Sequence, residues 1–259
     1  MRVISIVNQK GGVGKTTTAI NLSASLAYRD FHVLLIDMDS QANATIGLGV
    51  DPYLLNKTMF DVITDNDTTL EEVIVDSLLT NLKVAPAHIS MSTCELKVDR
   101  SYSPTFILRS KINRLKENSN FDFIVIDCPP SLGILTLNAL GASTDIILPI
   151  EPGKYALRGT EEIADSIIKF REQLNHEIDL LGVLITRYEA SSTIFKAYFD
   201  EIQDRYVNRV FSTTIPKYVA FREAESAGKP ILIYDKKGKA SEAYEALTEE
   251  ILNRVGKNK

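Results

Sequence analysis

The sequence predicts a doubly wound α/β layer: a mostly parallel central sheet flanked by helices. Three observations predict it. Short apolar strands alternate with longer amphipathic stretches along the whole chain. Several of the strands are near-continuous Val/Ile/Leu runs, the pattern of strands covered on both faces. The acidic and glycine-rich motifs fall where such strands end, at the edge where ligands bind in open α/β sheets.

The strands read as Arg2–Val7, His32–Ile36, Leu82–Ala85, Phe121–Ile126, Asp145–Ile150 and Leu180–Ile185, with a weaker one over Val210–Ile215. Thr16–Arg29, Phe106–Glu117, Thr160–Leu174 and Ala240–Val255 carry helical periodicity. Asp51–Ser103 is polar and mixed in pattern and reads as an excursion from the sheet. There is no internal repeat and no linker, so 1–259 reads as one domain.

The 259 residues, 44% of them hydrophobic, suffice for a substantial core. The net charge of -5 excludes a general polycation, so any nucleic-acid contact needs a local patch. Cys94 and Cys128 lack metal-ligand spacing and point to a reducing cytoplasm rather than a disulfide framework. Val3–Val7 is too short for a signal peptide core, and no later run approaches the ~18 apolar residues of a membrane helix.

Lys10-Gly11-Gly12-Val13-Gly14-Lys15-Thr16-Thr17 stands where the first strand gives way to the first helix. Glycines let backbone N–H groups turn inward around an anion, and the helix beyond aims its positive end at the same point. In such a loop Lys15 reaches the β and γ phosphate oxygens and the Thr16 hydroxyl ligates magnesium. Gln9 occupies the usual first glycine position, with Lys10 after it. Lys10 would crowd Lys15 with like charge unless it pointed out of the pocket.

Two further strands end in acids. Leu34-Leu35-Ile36-Asp37-Met38-Asp39-Ser40-Gln41 sets Asp37 and Asp39 on one side by alternation. Phe123-Ile124-Val125-Ile126-Asp127-Cys128-Pro129-Pro130 presents Asp127 as a magnesium carboxylate is presented, followed by conformationally restricted prolines. Cys128 reads as a buried small side chain.

Lys10 to Thr17 resembles the deviant Walker A motif of the ParA/MinD superfamily, and Asp37-x-Asp39-x-Gln41 and Asp127-Cys128-Pro129-Pro130-Ser131 match its further motifs. The resemblance covers nearly the whole chain and implies a deviant-Walker P-loop NTPase with ATP and Mg2+ as cofactors. The phosphate loop Gly11, Gly12, Val13, Gly14, Lys15, Thr16 and Thr17 would bind nucleotide. Lys10 would reach the nucleotide of a facing subunit. Asp39 would position the attacking water, and Thr16, Asp37 and Asp127 would organise the magnesium. Thr186 and Thr213-Thr214-Ile215-Pro216 match the places that frame adenine in relatives, Pro216 being the stronger base contact; either residue otherwise serves the loop.

The resemblance is to ParA/Soj partition ATPases in particular. It implies an ATP-dependent homodimer that binds DNA without sequence preference and a ParB-like partner that stimulates hydrolysis, in a cytoplasmic, nucleoid-associated setting without membrane contact. Arg187–Lys239 holds 10 Lys/Arg against 7 Asp/Glu. Lys196, Arg205, Arg209, Lys217, Arg222 and Lys229 are the candidate DNA contacts within it, against the alternative of a solvated mixed-charge face. A membrane-cycling MinD-like regulator and an ATPase that positions a protein cargo are the alternative readings. The tail Leu247–Lys257, with two glutamates and no aromatic anchor, reads as a packing helix rather than a membrane one.

Overall fold

The computed structural model describes residues 1–98, 104–153, 178–189 and 193–256. The helix expected over Thr160–Leu174 lies outside the described residues.

The strands are β1 (Arg2–Ile6), β2 (Val33–Asp37), β3 (Val75–Asp76), β4 (Leu82–Ala85), β5 (Phe123–Asp127), β6 (Asp145–Ile150), β7 (Asp179–Tyr188) and β8 (Ile215–Pro216). They form one eight-stranded sheet in the order β3-β4-β2-β5-β1-β6-β7-β8. Every neighbouring pair is parallel except β3 with β4. This is the doubly wound architecture the sequence predicts: β1 lies inside the sheet and the chain winds outward from it both ways.

The continuous apolar strands have a direct cause. Val3, Leu34, Ile36, Ile124 and Ile126 enter one hydrophobic cluster, while Ile4, Val33, Leu35, Phe123 and Val125 enter another on the opposite face. Successive side chains leave a strand on alternate sides, so a sheet covered twice needs apolar residues at every position. We number the helices in chain order: α1 (Lys15–Tyr28), α2 (Asn43–Gly47), α3 (Met59–Thr64), α4 (Cys94–Lys97), α5 (Ile107–Asn118), α6 (Ile134–Ala142), α7 (Thr193–Arg205), α8 (Val219–Ser226), α9 (Ile231–Tyr234) and α10 (Lys239–Arg254). Leu108, Ile112 and Leu115 of α5 cover the first face. The helices α1 and α10 cover the second. Tyr244 of α10 is buried and shares a 3.3 Å hydrogen bond with Thr18 of α1.

Boundaries fall within two residues of the sequence reading for most elements. β7 runs three residues past the expected Ile185, and the strand expected over Val210–Ile215 is interrupted. Val210 makes only an isolated bridge to Val183, and regular pairing resumes at Ile215. Between them the Ser212 and Thr213 amides donate to the Glu250 carboxylate, at 2.9 and 3.0 Å. A side chain from α10 takes the hydrogen bonds that a strand would have needed. Among its described residues the segment Asp51–Ser103 returns to the sheet only as β3 and β4, and its other elements are α3, α4 and two short 3-10 turns.

Candidate nucleotide site

The carboxyl ends of β1, β2 and β5 lie side by side. Register pairs Ile6 with Asp127 and Asp37 with Asp127, so both aspartates stand at one edge directly beside the loop that follows β1.

That loop is shaped by its glycines and held from outside. Gly12 and Gly14 have φ of 76° and 83°, in the left-handed region that a side chain would disfavour. The Asn8 side chain bonds the Pro149 carbonyl at 2.7 Å and accepts the Lys10 amide at 2.9 Å. Three loop carbonyls are engaged by side chains: Lys10 by Lys15 Nζ (3.2 Å), Gly12 by Arg187 Nη1 (3.2 Å) and Val13 by Thr186 Oγ1 (2.8 Å). With carbonyls tied down, the amides of the turn and the N-terminus of α1 are left to face an anion. Burial pushes the Lys15 ammonium below its usual pKa, opposed by Asp127, Cys128 and Asp39. The pocket beside it, of about 330 Å³, is lined by Gly11, Gly12, Gly14, Lys15, Thr16, Thr17, Asp39, Thr186 and Pro216 among others.

The three acids are in different situations. Asp127 is completely buried, and among the described residues neither carboxylate oxygen has a hydrogen-bond partner. Burial and the charge of Asp37 raise its pKa well above the carboxylate range; the nearby Thr16 hydroxyl favours the charged form without satisfying either oxygen. Two orphaned oxygens at the end of a buried strand fit a cation. Asp37 is also buried, but three donors serve it: the Asp39 amide (3.1 Å), the Thr45 amide (2.9 Å) and the Thr45 hydroxyl (2.8 Å). Burial lifts its pKa to about 6 against those hydrogen bonds. The sequence reading set Asp37 with the magnesium residues. Its geometry here is that of a brace, holding Asp39 and α2 in place with both oxygens engaged. Asp39 is half-buried, lines the pocket and accepts the Gln41 amide at 3.0 Å.

Lys10 is not among the pocket's lining residues. Its ammonium lies 3.4 Å from Glu151, which also pairs with Arg187 at 3.2 Å. Arg187 adopts a left-handed backbone with φ of 52°. Glu151 has no motif around it in the sequence, so only folding reveals it beside Lys10.

The pocket is also lined by Ile215, Pro216, Tyr218, Phe221, Arg222, Glu225 and Tyr244. Sequence reasoning found Thr186 and Pro216 but missed the aromatic residues, although Tyr218 stands only two positions after the Ile-Pro pair.

The candidate DNA residues divide. Arg209 pairs with Asp179 (2.9 Å) and the Leu180 carbonyl (2.7 Å) at the start of β7, the opposite end of that strand from the pocket. Lys217 pairs with Glu189 at 2.7 Å. These two candidate cations have acidic partners at the surface. Arg205 also has a partner. Lys196, Arg222 and Lys229 are exposed.

Residues 1–180 match the AAA domain family. The chain is 38% identical over 250 residues to the sporulation initiation inhibitor protein Soj of Bacillus subtilis, covering 96% of this chain and 98% of that protein. It is 38% identical over 253 residues to the chromosome partitioning protein ParA of Myxococcus xanthus, covering 98% and 88% respectively. Among solved structures it is similar to cobyrinic acid a,c-diamide synthase from Mycobacterium smegmatis with bound ADP and magnesium (TM-score 0.85, 30% identity, 99% of this chain and 96% of that one). It is likewise similar to the septum site-determining protein MinD of Pyrococcus horikoshii with Mg-ADP (TM-score 0.81, 30% identity, 98% and 97%).

Proposed function

From the premise that this chain belongs to the AAA domain family, as a ParA/Soj-type ATPase of the ParA/MinD superfamily, we propose that it binds Mg-ATP in the pocket above α1 and uses hydrolysis to switch a DNA-binding dimer that partitions chromosome or plasmid DNA. The observation that carries the nucleotide reading is the pairing of a carbonyl-tethered glycine loop with the orphaned oxygens of Asp127.

In this reading Gly11 to Thr17 cradle the phosphates by backbone amides, and Lys15 swings from the Lys10 carbonyl to the β and γ oxygens. Thr16 and Asp127 would hold magnesium, which would supply charge neutralisation at the phosphate oxygens, with Asp37 acting through the backbone of Asp39. Asp39, at the pocket edge, orients the attacking water. Lys10 leaves Glu151 to meet the nucleotide of a second copy. The dimer then presents Lys196, Arg222 and Lys229 twice over to the DNA backbone, and a ParB-like partner triggers hydrolysis.

The test is DNA co-sedimentation with Mg-ATP and with Mg-ADP, run beside phosphate release. ATP-dependent DNA binding together with hydrolysis is expected. Equal DNA binding with ADP would overturn the switched dimer, and absence of hydrolysis would overturn the role of the site. No described helix is long and apolar enough to cross a membrane. The apolar face of α10, including Tyr244, Leu247 and Ile251, is buried in the core, so that face is spent on packing rather than on a lipid surface.

A further inference from the structure

The pocket is lined both by the polar glycine loop and by a group of aromatic side chains. β8 pairs with β7 through Thr186↔Ile215 and Tyr188↔Pro216, which fixes where the chain leaves the sheet. Two residues later Tyr218 stands at the N-cap of α8. Tyr218, Phe221, Arg222 and Glu225 follow the i, i+3, i+4, i+7 spacing of one helical face, and all four line the pocket.

The aromatic residues of this group are not equivalent. Tyr244 is buried and held by its hydroxyl contact with Thr18. Phe221 packs edge-on against it, with ring centroids 5.6 Å apart at 84°. These two rings form a fixed floor. Tyr218 lies next to Phe221, at 6.3 Å and 40°, and is half-buried at the rim, with part of its surface open. Polar side chains near it are already occupied. The Thr186 hydroxyl bonds Val13 O, and Lys217 is paired with Glu189. Arg222 and Glu225 are exposed, where a hydrogen bond to a base competes with water. A flat apolar ring is therefore the strongest recognition element left in this group.

We propose that Tyr218 is the residue on which the nucleotide base stacks, and that it gives the site a preference for purine over pyrimidine nucleoside triphosphates. The inference rests on the nucleotide reading of the pocket. A fused purine covers more of a phenol ring than a single pyrimidine ring does, so loss of the ring removes more from the purine complex.

The test is calorimetric titration of wild type, Tyr218→Ala and Tyr218→Phe with Mg-ATP, Mg-CTP and inorganic tripolyphosphate. Wild type is expected to bind ATP more tightly than CTP. Tyr218→Ala should lose about tenfold in ATP affinity, much less in CTP affinity and nothing for tripolyphosphate. Tyr218→Phe should restore the ATP value, because the ring and not the hydroxyl is required. Equal losses for ATP and tripolyphosphate would show a disturbed pocket and overturn the proposal. So would unchanged ATP affinity in Tyr218→Ala, or a wild type that does not prefer ATP to CTP. A wild type that binds no Mg-ATP would instead overturn the nucleotide reading itself.

Discussion

At the scale of single residues, the site sets charge against burial. Lys15 is kept in a buried position by the acids around it and by the Lys10 carbonyl. Lys15→Ala is expected to weaken Mg-ATP binding on the order of 100-fold, since each charge-assisted hydrogen bond to phosphate contributes about 1.5–3 kcal/mol. Isothermal titration measures this, and near-wild-type affinity would remove Lys15 from the site. Asp127 makes the opposite case. Its folded-state pKa lies well above the ordinary 3.8, chiefly through burial and then through Asp37. Stability from this group is therefore full below the unfolded-state value and is lost as pH rises towards the folded-state value. Asp127→Asn keeps the shape and removes the charge. Without nucleotide it should melt higher than wild type near pH 8, and the difference should vanish near pH 4. A difference independent of pH would mean that the buried charge is already compensated. The same variant should lose magnesium-dependent hydrolysis, so stability is given up here for function. Asp39→Ala should leave the loop intact and trap the ATP state. Size exclusion with ATP should show a dimer while phosphate release nearly stops, and normal turnover would reduce Asp39 to a strand-end acid.

At the scale of elements, β7 and the helices α7 and α8 decide which cations are available. Arg209 sits at the start of β7 and is already paired, whereas Lys196 on α7 and Arg222 on α8 are exposed. Lys196→Glu or Arg222→Glu should weaken DNA binding to all sequences alike and flatten its salt dependence, because phosphate contacts release counterions. Arg209→Glu places a carboxylate beside Asp179 and should instead lower stability by about 1 kcal/mol, with the DNA salt slope unchanged. Binding assays at several salt concentrations beside thermal melting separate the two effects. A reduced slope in Arg209→Glu would return that residue to the DNA surface. Much of this level was legible in the sequence, because apolar runs of Val and Ile bounded by glycine or acids read as strands wherever they lie. The Val210–Ile215 segment was not, because the Glu250 carboxylate that claims the Ser212 and Thr213 amides comes from a helix 37 residues further on.

At the scale of the whole molecule, the proposed function turns on a second copy. Lys10 is held by Glu151 across 141 residues of sequence and stays out of its own pocket. Lys10→Ala should keep much of its nucleotide affinity while losing ATP-dependent dimerisation, hydrolysis and DNA binding together. Crosslinking under ATP of Lys10→Ala mixed with Asp39→Ala would reveal whether the lysine acts across an interface. A Lys10→Ala protein that dimerises and hydrolyses like wild type would end the trans-lysine mechanism. The sequence by itself determined the layered α/β class, the phosphate loop and the strand-end acids. Those features are local: periodicity of two or 3.6, glycines that permit a left-handed turn, and a carboxylate at the end of an apolar run are all carried by neighbouring residues. Only the tertiary structure decided that Asp37 braces while Asp127 is left orphaned, that Glu151 holds Lys10, and that Tyr218 lines the same pocket as the glycine loop. Each of those facts depends on which distant strand or helix lies alongside, and in a parallel sheet every such neighbour arrives by a long crossover that no short window of sequence contains.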